Sequence, residues 1–154
     1  MDTITVREAT PADAPALAVL LDAFDGEGAT PAQVAARMQA CAHVLTTFVA
    51  EPDGQMAGFA CLRLVPHLQG DAPYAELTDI FVAEAFRRRG VARALMTRVD
   101  SAAGAAGAIE VVVITGLEND GAQDAYRAQG YGEWALAMRK CLAGEGEDGR
   151  CRER

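Results

Sequence analysis

Six consecutive residues, Arg87-Arg88-Arg89-Gly90-Val91-Ala92, carry the clearest chemical signal in the sequence. The three guanidinium groups supply charge, Gly90 lets a ligand come close to the backbone, and Ala92 is too small to block the turn that follows. After them, Val91, Leu95 and Val99 with Ala92, Met96 and Ala103 form one apolar face at helical spacing. Before them lies the strand-like run Leu77-Thr78-Asp79-Ile80-Phe81-Val82. A turn that feeds a helix presents unpaired N–H groups and the positive end of the helix dipole, which is what an anion needs. An arginine run alone reads as solvated surface. Its place between a strand and an amphipathic helix points towards phosphate binding.

The elements that must position this loop follow from periodicity and caps. Thr3 to Glu8 alternates Ile4 and Val6 with polar residues, as a half-buried strand does. Thr10-Pro11-Ala12-Asp13 and Thr30-Pro31-Ala32-Gln33 each combine an N-cap threonine, proline at the first helical position and a polar third residue, so two helices follow that strand. Val44 to Glu51 and Gln55 to Val65 read as strands joined by the Asp53-Gly54 turn of an antiparallel hairpin. Ala75 to Ala83 is a further strand. Gly104 and Gly107 close the helix after the arginines, and Ile109 to Thr115 has the continuous apolar character of a central strand, pairing in parallel with Ala75 to Ala83. A short helix over Gly121 to Gln129 and a last strand, or bent pair, over Tyr131 to Lys140 complete a domain of residues 1–143. From Gly144 the sequence reads as a mobile polar tail, 144–154.

At 154 residues and 51% apolar, the chain is the size of one domain with a real core. No run is apolar enough to span a bilayer and the first residues lack a secretory pattern, so a soluble, cytoplasmic protein without a membrane partner is expected. A formal charge of −8 argues against nucleic acid as a partner and suits a cationic one, although acidity also simply aids solubility. Cys41, Cys61, Cys141 and Cys151, with His43 and His67, show no ligand spacing. They read as buried or free thiols and loop histidines, and no metal is expected.

With these residues in place, the chain resembles the GNAT superfamily of N-acetyltransferases. The acetyl-CoA loop of that family has the pattern Q/R-x-x-G-x-G/A, which Arg87, Gly90 and Ala92 fill, and a strand ends five residues earlier at Val82. A second signature is matched by Asn119 and by Ala122-Gln123-Asp124-Ala125-Tyr126-Arg127-Ala128-Gln129-Gly130-Tyr131. The likeness spans strand one to about Lys140. It implies an α/β fold of the mixed α+β kind, with a mostly antiparallel sheet of about six to seven strands, splayed between the fourth and fifth and flanked by about four helices.

The same resemblance implies the roles of residues. Acetyl-CoA would be the co-substrate, its pantetheine arm held by the backbone of Ile80, Phe81 and Val82 and by Asn119, and its pyrophosphate by Arg87 and the amides from Arg88 through Arg89, Gly90, Val91 and Ala92 to Arg93. Asn119 can equally be an ordinary N-cap. Tyr126 would protonate the departing thiolate, or else pack in the core. An attacking amine must be neutral, and Glu76 is the first choice of base, with Asp79 its rival; some members have no dedicated base. Period-2 alternation sets Glu76 and Asp79 on opposite faces unless a bulge intervenes.

The implied activity is direct acetyl transfer to an amine, a small-molecule primary amine ahead of a protein amino group. The rival class is a non-catalytic acyl-CoA-binding or sensing module. A nucleotide enzyme is set aside, because neither G-x-G-x-x-G nor G-x-x-x-x-G-K-[ST] follows a strand. By analogy, two copies would pair through their last strands.

Overall fold

The computed structural model describes residues 3–146 and 149–151. Among these residues five strands form one sheet in sequential order: β1 (Ile4–Glu8), β2 (Leu45–Pro52), β3 (Gly58–Val65), β4 (Tyr74–Val82) and β5 (Val111–Val113). The first four are antiparallel neighbours, and β5 joins β4 in parallel. Among the described residues four α-helices flank the sheet: α1 (Ala14–Asp25), α2 (Pro31–Cys41), α3 (Val91–Ala105) and α4 (Asp120–Arg127). Among the described residues no helix is long and apolar enough to cross a membrane.

Local chemistry accounts for most boundaries. Ahead of α2, the Thr30 hydroxyl accepts from Gln33 N–H at 3.3 Å and the Gln33 side chain accepts from Thr30 N–H at 2.9 Å, a reciprocal cap. Proline at the head of each of the first two helices fixes φ where no N–H is needed. The β2–β3 hairpin turns on Asp53 (φ 51°) and Gly54 (φ 79°), the left-handed pair that matches strand twist.

Each face of the sheet has its own core. On one side Val91, Leu95, Met96 and Val99 of α3 pack on Phe48, Ala50, Ala60, Leu62 and Leu77. On the other, Leu17 and Leu20 of α1 and Val34 of α2 cover Val49, Phe59 and Cys61. Arg7 ties the start of this second layer to the sheet: it donates to Asp13 at 2.8 and 2.9 Å, just before α1, and to Glu51 on β2 at 2.7 and 3.1 Å. The guanidinium holds the Asp13 carboxyl at about 2, below its usual 3.8.

Three expectations need correction. The sheet has five strands among the described residues, fewer than six to seven, because Tyr131 to Lys140 pairs with nothing and leaves Trp134, Leu136 and Met138 exposed. As a result the apolar run Ile109 to Thr115 is an edge strand, not a central one. Only Val111–Val113 is paired, all three half-buried, with Ile109 and Ile114 exposed. Finally, the cysteines are not all free thiols. Cys141 and Cys151 are joined by a disulfide, while Cys41 and Cys61 are free. The described part of the tail folds back, with Gly146 N–H donating to Arg150 O at 2.7 Å. The rest of the tail, 147–148 and 152–154, and Met1 and Asp2 lie outside the described residues.

Candidate active site

The site begins with an irregularity in β4. Cys61 on β3 faces Asp79, but the next residue, Leu62, faces Leu77, so Thr78 is an extra residue without a partner. Pairing between β4 and β5 covers only Ala75, Glu76 and Leu77 and stops at this bulge. Beyond it the two strands part, and one edge of β4 opens into a cleft of about 1010 Å³.

Which backbone groups line that edge follows from alternation. Ala83 N–H donates to Ala57 O at the head of β3, so Phe81 and Asp79 also turn their backbone groups towards β3. Ile80 and Val82 therefore present theirs to the open side. The carbonyl of Val82 is held by Arg87, whose Nε donates to it at 3.1 Å. Phe81 instead aims its carbonyl at Gly58, where an added Cβ would lie 2.6 Å from that oxygen, so only glycine lets β3 come this close.

At the far end of β4 the chain turns through Arg87 to Gly90 into α3. Arg88 (φ 63°) and Gly90 (φ 86°) both take the left-handed conformation, an arrangement that curls the loop and costs a residue with a side chain about 1 kcal/mol or more. The N–H groups of Arg88, Gly90, Val91, Ala92 and Arg93 find no acceptor among the described residues, whereas Ala94 N–H donates to Gly90 O at 2.9 Å. Five such donors at a helix N-terminus, rimmed by arginines, fit a diphosphate. The three arginines are not equivalent. Arg87 turns back onto Val82 and the Phe81 ring, and Arg89 lies over Phe86.

The opposite wall is α4 and the segment before it. Asn119 caps α4 by accepting from Ala122 N–H at 3.2 Å, and it also lines the cleft. Tyr126 points into the cleft beside the Tyr131 ring, 5.7 Å between centroids. Its hydroxyl makes no hydrogen bond among the described residues. Burial, and then the charge of Asp79, push the phenol above its ordinary range, so it stays protonated at neutral pH.

The two carboxylates have different surroundings. Asp79 faces Cys61 and Glu76 faces Arg63, and Cys61 and Arg63 are two residues apart on β3. The bulge therefore puts Glu76 and Asp79 on the same face, where unbroken alternation would separate them. Asp79 lines the cleft. Glu76 does not; it is paired with Arg63 and accepts from the Tyr74 hydroxyl at 3.2 Å. Cys61 is 7% exposed and its thiol is pushed up to about 12 by burial, which makes it a poor nucleophile. Among the described residues no cluster of His, Cys, Asp and Glu could hold a metal ion.

The geometry has a counterpart in sequence: residues 16–131 match the model of the acetyltransferase (GNAT) family. The chain belongs to that family. Solved GNAT-fold structures resemble it over nearly their whole length. One is a protein from Agrobacterium tumefaciens described as an acetyltransferase, at 26% identity and a TM-score of 0.78, covering 88% of this chain and 99% of that one. Another is the aminoglycoside N-acetyltransferase AAC(6')-Iy in complex with a bisubstrate analogue of CoA and acetylneamine, at 25% and 0.76, covering 90% and 98%. An acetyltransferase of Trypanosoma brucei, at 19% and 0.79, covers 91% and 100% and shows the fold alone. No curated protein matches the sequence. This GNAT chain is thus an acyltransferase by family, with a cleft suited to CoA.

Two features of the site escaped sequence reading. The Thr78 bulge has no marker, since bulges depend on the partner strand. Phe24, in the last turn of α1, also lines the cleft, although in sequence it simply continues the helical apolar stripe Leu17, Leu20 and Leu21.

Proposed function

We propose that the protein transfers the acetyl group of acetyl-CoA directly to a primary amine, a small molecule in preference to a protein amino group. The observation that carries this reading is the open edge of β4 leading into a loop with five amides that lack acceptors. Ile80 and Val82 would hold the pantetheine arm with Asn119 opposite, and the backbone from Arg88 to Arg93 would hold the pyrophosphate. When bound, acetyl-CoA supplies an activated thioester.

The chain's own task is to manage protons. An ammonium must lose one before its lone pair can attack; then the C–N bond forms, the C–S bond breaks, the nitrogen gives up a second proton and the thiolate gains one. Tyr126, held protonated, is suited to supply the thiolate. Asp79, in the cleft, is better disposed to accept from the amine than Glu76, which Arg63 and Tyr74 engage. The suppressed reactivity of Cys61 supports transfer without an acyl-enzyme. A second copy of the chain would cover the exposed row of Trp134, Leu136 and Met138; light scattering at twice the chain mass would bear this out.

The test is a thiol-release assay with acetyl-CoA and a panel of amines, run beside a thermal melt. Saturating acetyl-CoA should raise the melting temperature, since a ligand that binds only the folded state must stabilise it. No stabilisation would end the coenzyme reading. Stabilisation without turnover of any amine would favour a binding module.

A further inference from the structure

Phe24 is an anomaly. An apolar ring 46% exposed usually floats on a surface, yet this one is pinned, 6.0 Å and edge-on to Phe59 and 5.5 Å from Phe81, with its free side on the cleft. Phe81 lies two residues beyond Asp79 on the same face of β4, and Phe59 lies two before Cys61, which faces Asp79. An aromatic shelf and a carboxylate thus adjoin on one face of β4, with Phe24 reaching them from α1 and the Arg87 guanidinium bordering the shelf over Phe81. We propose that this shelf is the acceptor subsite, and that it selects primary amines carried on an aromatic or similarly flat apolar body, with the ammonium at Asp79 and the body on Phe24. The inference rests on the acetyl-transfer reading and narrows its substrate class.

Two observations decide against other amines, and a third favours a flat body. The cleft carries the Phe24 and Phe81 rings on the face of Asp79, and the Thr78 hydroxyl already donates to Asp79 at 3.0 Å, so a polyhydroxylated sugar set on the rings would leave groups desolvated and unpaired. A linear polyamine would set a charge on the rings, but the Arg87 guanidinium already lies over Phe81 at 5.9 Å and opposes a second cation there. The rings also hold one another, so little side-chain freedom is lost when a flat body settles on them.

The test compares 2-phenylethylamine, kanamycin and spermidine as acceptors at saturating acetyl-CoA, for the wild type, Phe24→Ala and Phe24→Leu. The aromatic amine should exceed the other two in kcat/KM by about tenfold or more, and Phe24→Ala should erase about tenfold of that through KM while kcat changes little. Phe24→Leu, which keeps apolar bulk, should retain part of the preference and decides the matter if the alanine variant melts too low to assay. The melting shift caused by acetyl-CoA should be the same in all three proteins. Kanamycin or spermidine as the better acceptor, or a Phe24→Ala loss equal for all three amines, would overturn the proposal and leave acetyl transfer standing. Failure of every amine to react would overturn both.

Discussion

The cleft has two halves built by different means. The half proposed to take the donor, from Ile80 through the arginine loop to Arg93, presents backbone: strand-edge groups and amides fixed by the bulge at Thr78, by the left-handed turn at Arg88 and Gly90, and by Val91, 1% exposed, which anchors the helix start. The half proposed to take the acceptor presents side chains, Phe24, Asp79 and Tyr126, which line the cleft from α1, β4 and α4. A backbone site tolerates many side-chain changes but few changes of conformation. A side-chain site does the reverse, and this asymmetry predicts how each half will break.

The largest effect is expected at Gly90. At φ 86° a β-branched residue is strained, so Gly90→Val should move the amides out of register and abolish the acetyl-CoA melting shift, with kcat/KM down about 100-fold or more. Arg88→Gln removes a charge but not the backbone, and should cost under about tenfold, mostly in KM and less at high salt. If the arginine variant were the more damaging, the donor half would be a charge site after all.

Next is Tyr126→Phe. Loss of the acid should lower kcat about 100-fold with the acetyl-CoA melting shift intact. Because Asp79 contributes to the raised phenol pKa, Asp79→Asn should lower kcat and also move the alkaline limb of the kcat profile to lower pH, since a lost negative charge eases phenol ionisation. An unmoved limb would separate the two groups. Glu76→Gln should leave kcat within about threefold, because its carboxylate serves Arg63 and Tyr74. A large loss in Glu76→Gln alone would restore it as the base.

The same asymmetry explains what could be read from sequence. Gly90, Ala92 and the helix stripe Val91, Leu95 and Val99 are local signals, since φ, bulk and period are properties of a few consecutive residues; the left-handed turn and the helix it feeds were legible for that reason. Alternation sets Glu76 and Asp79 on opposite faces unless a bulge intervenes, and nothing local in the sequence decides between the two, because the bulge that joins their faces exists only in the pairing with Cys61 and Leu62. Phe24 has no local sign of its role, which comes from two rings more than thirty residues away in sequence, Phe59 and Phe81. The run Trp134, Leu136 and Met138 has the period of a strand, but a strand also needs an edge to pair with, and β5 offers three residues.

The smallest predicted effect concerns how the acceptor half is held. Arg7 links Asp13, at the entrance to α1, with Glu51 on β2, and α1 carries Phe24. Asp13 titrates at about 2 in the folded chain against a usual 3.8. A depressed carboxyl pKa stabilises fully above the unfolded value and loses that contribution as pH falls through the folded one. Arg7→Gln should therefore cost about 1 kcal/mol at pH 7, allowing for the solvent exposure of the arginine. That difference should begin to shrink below about pH 4 and be nearly gone near pH 2. Urea denaturation of both proteins across this range measures it. In the variant the acceptor half should loosen first, seen as a higher KM for the amine with the acetyl-CoA melting shift unchanged; equal weakening of both would mean that α1 and the arginine loop are one mechanical unit.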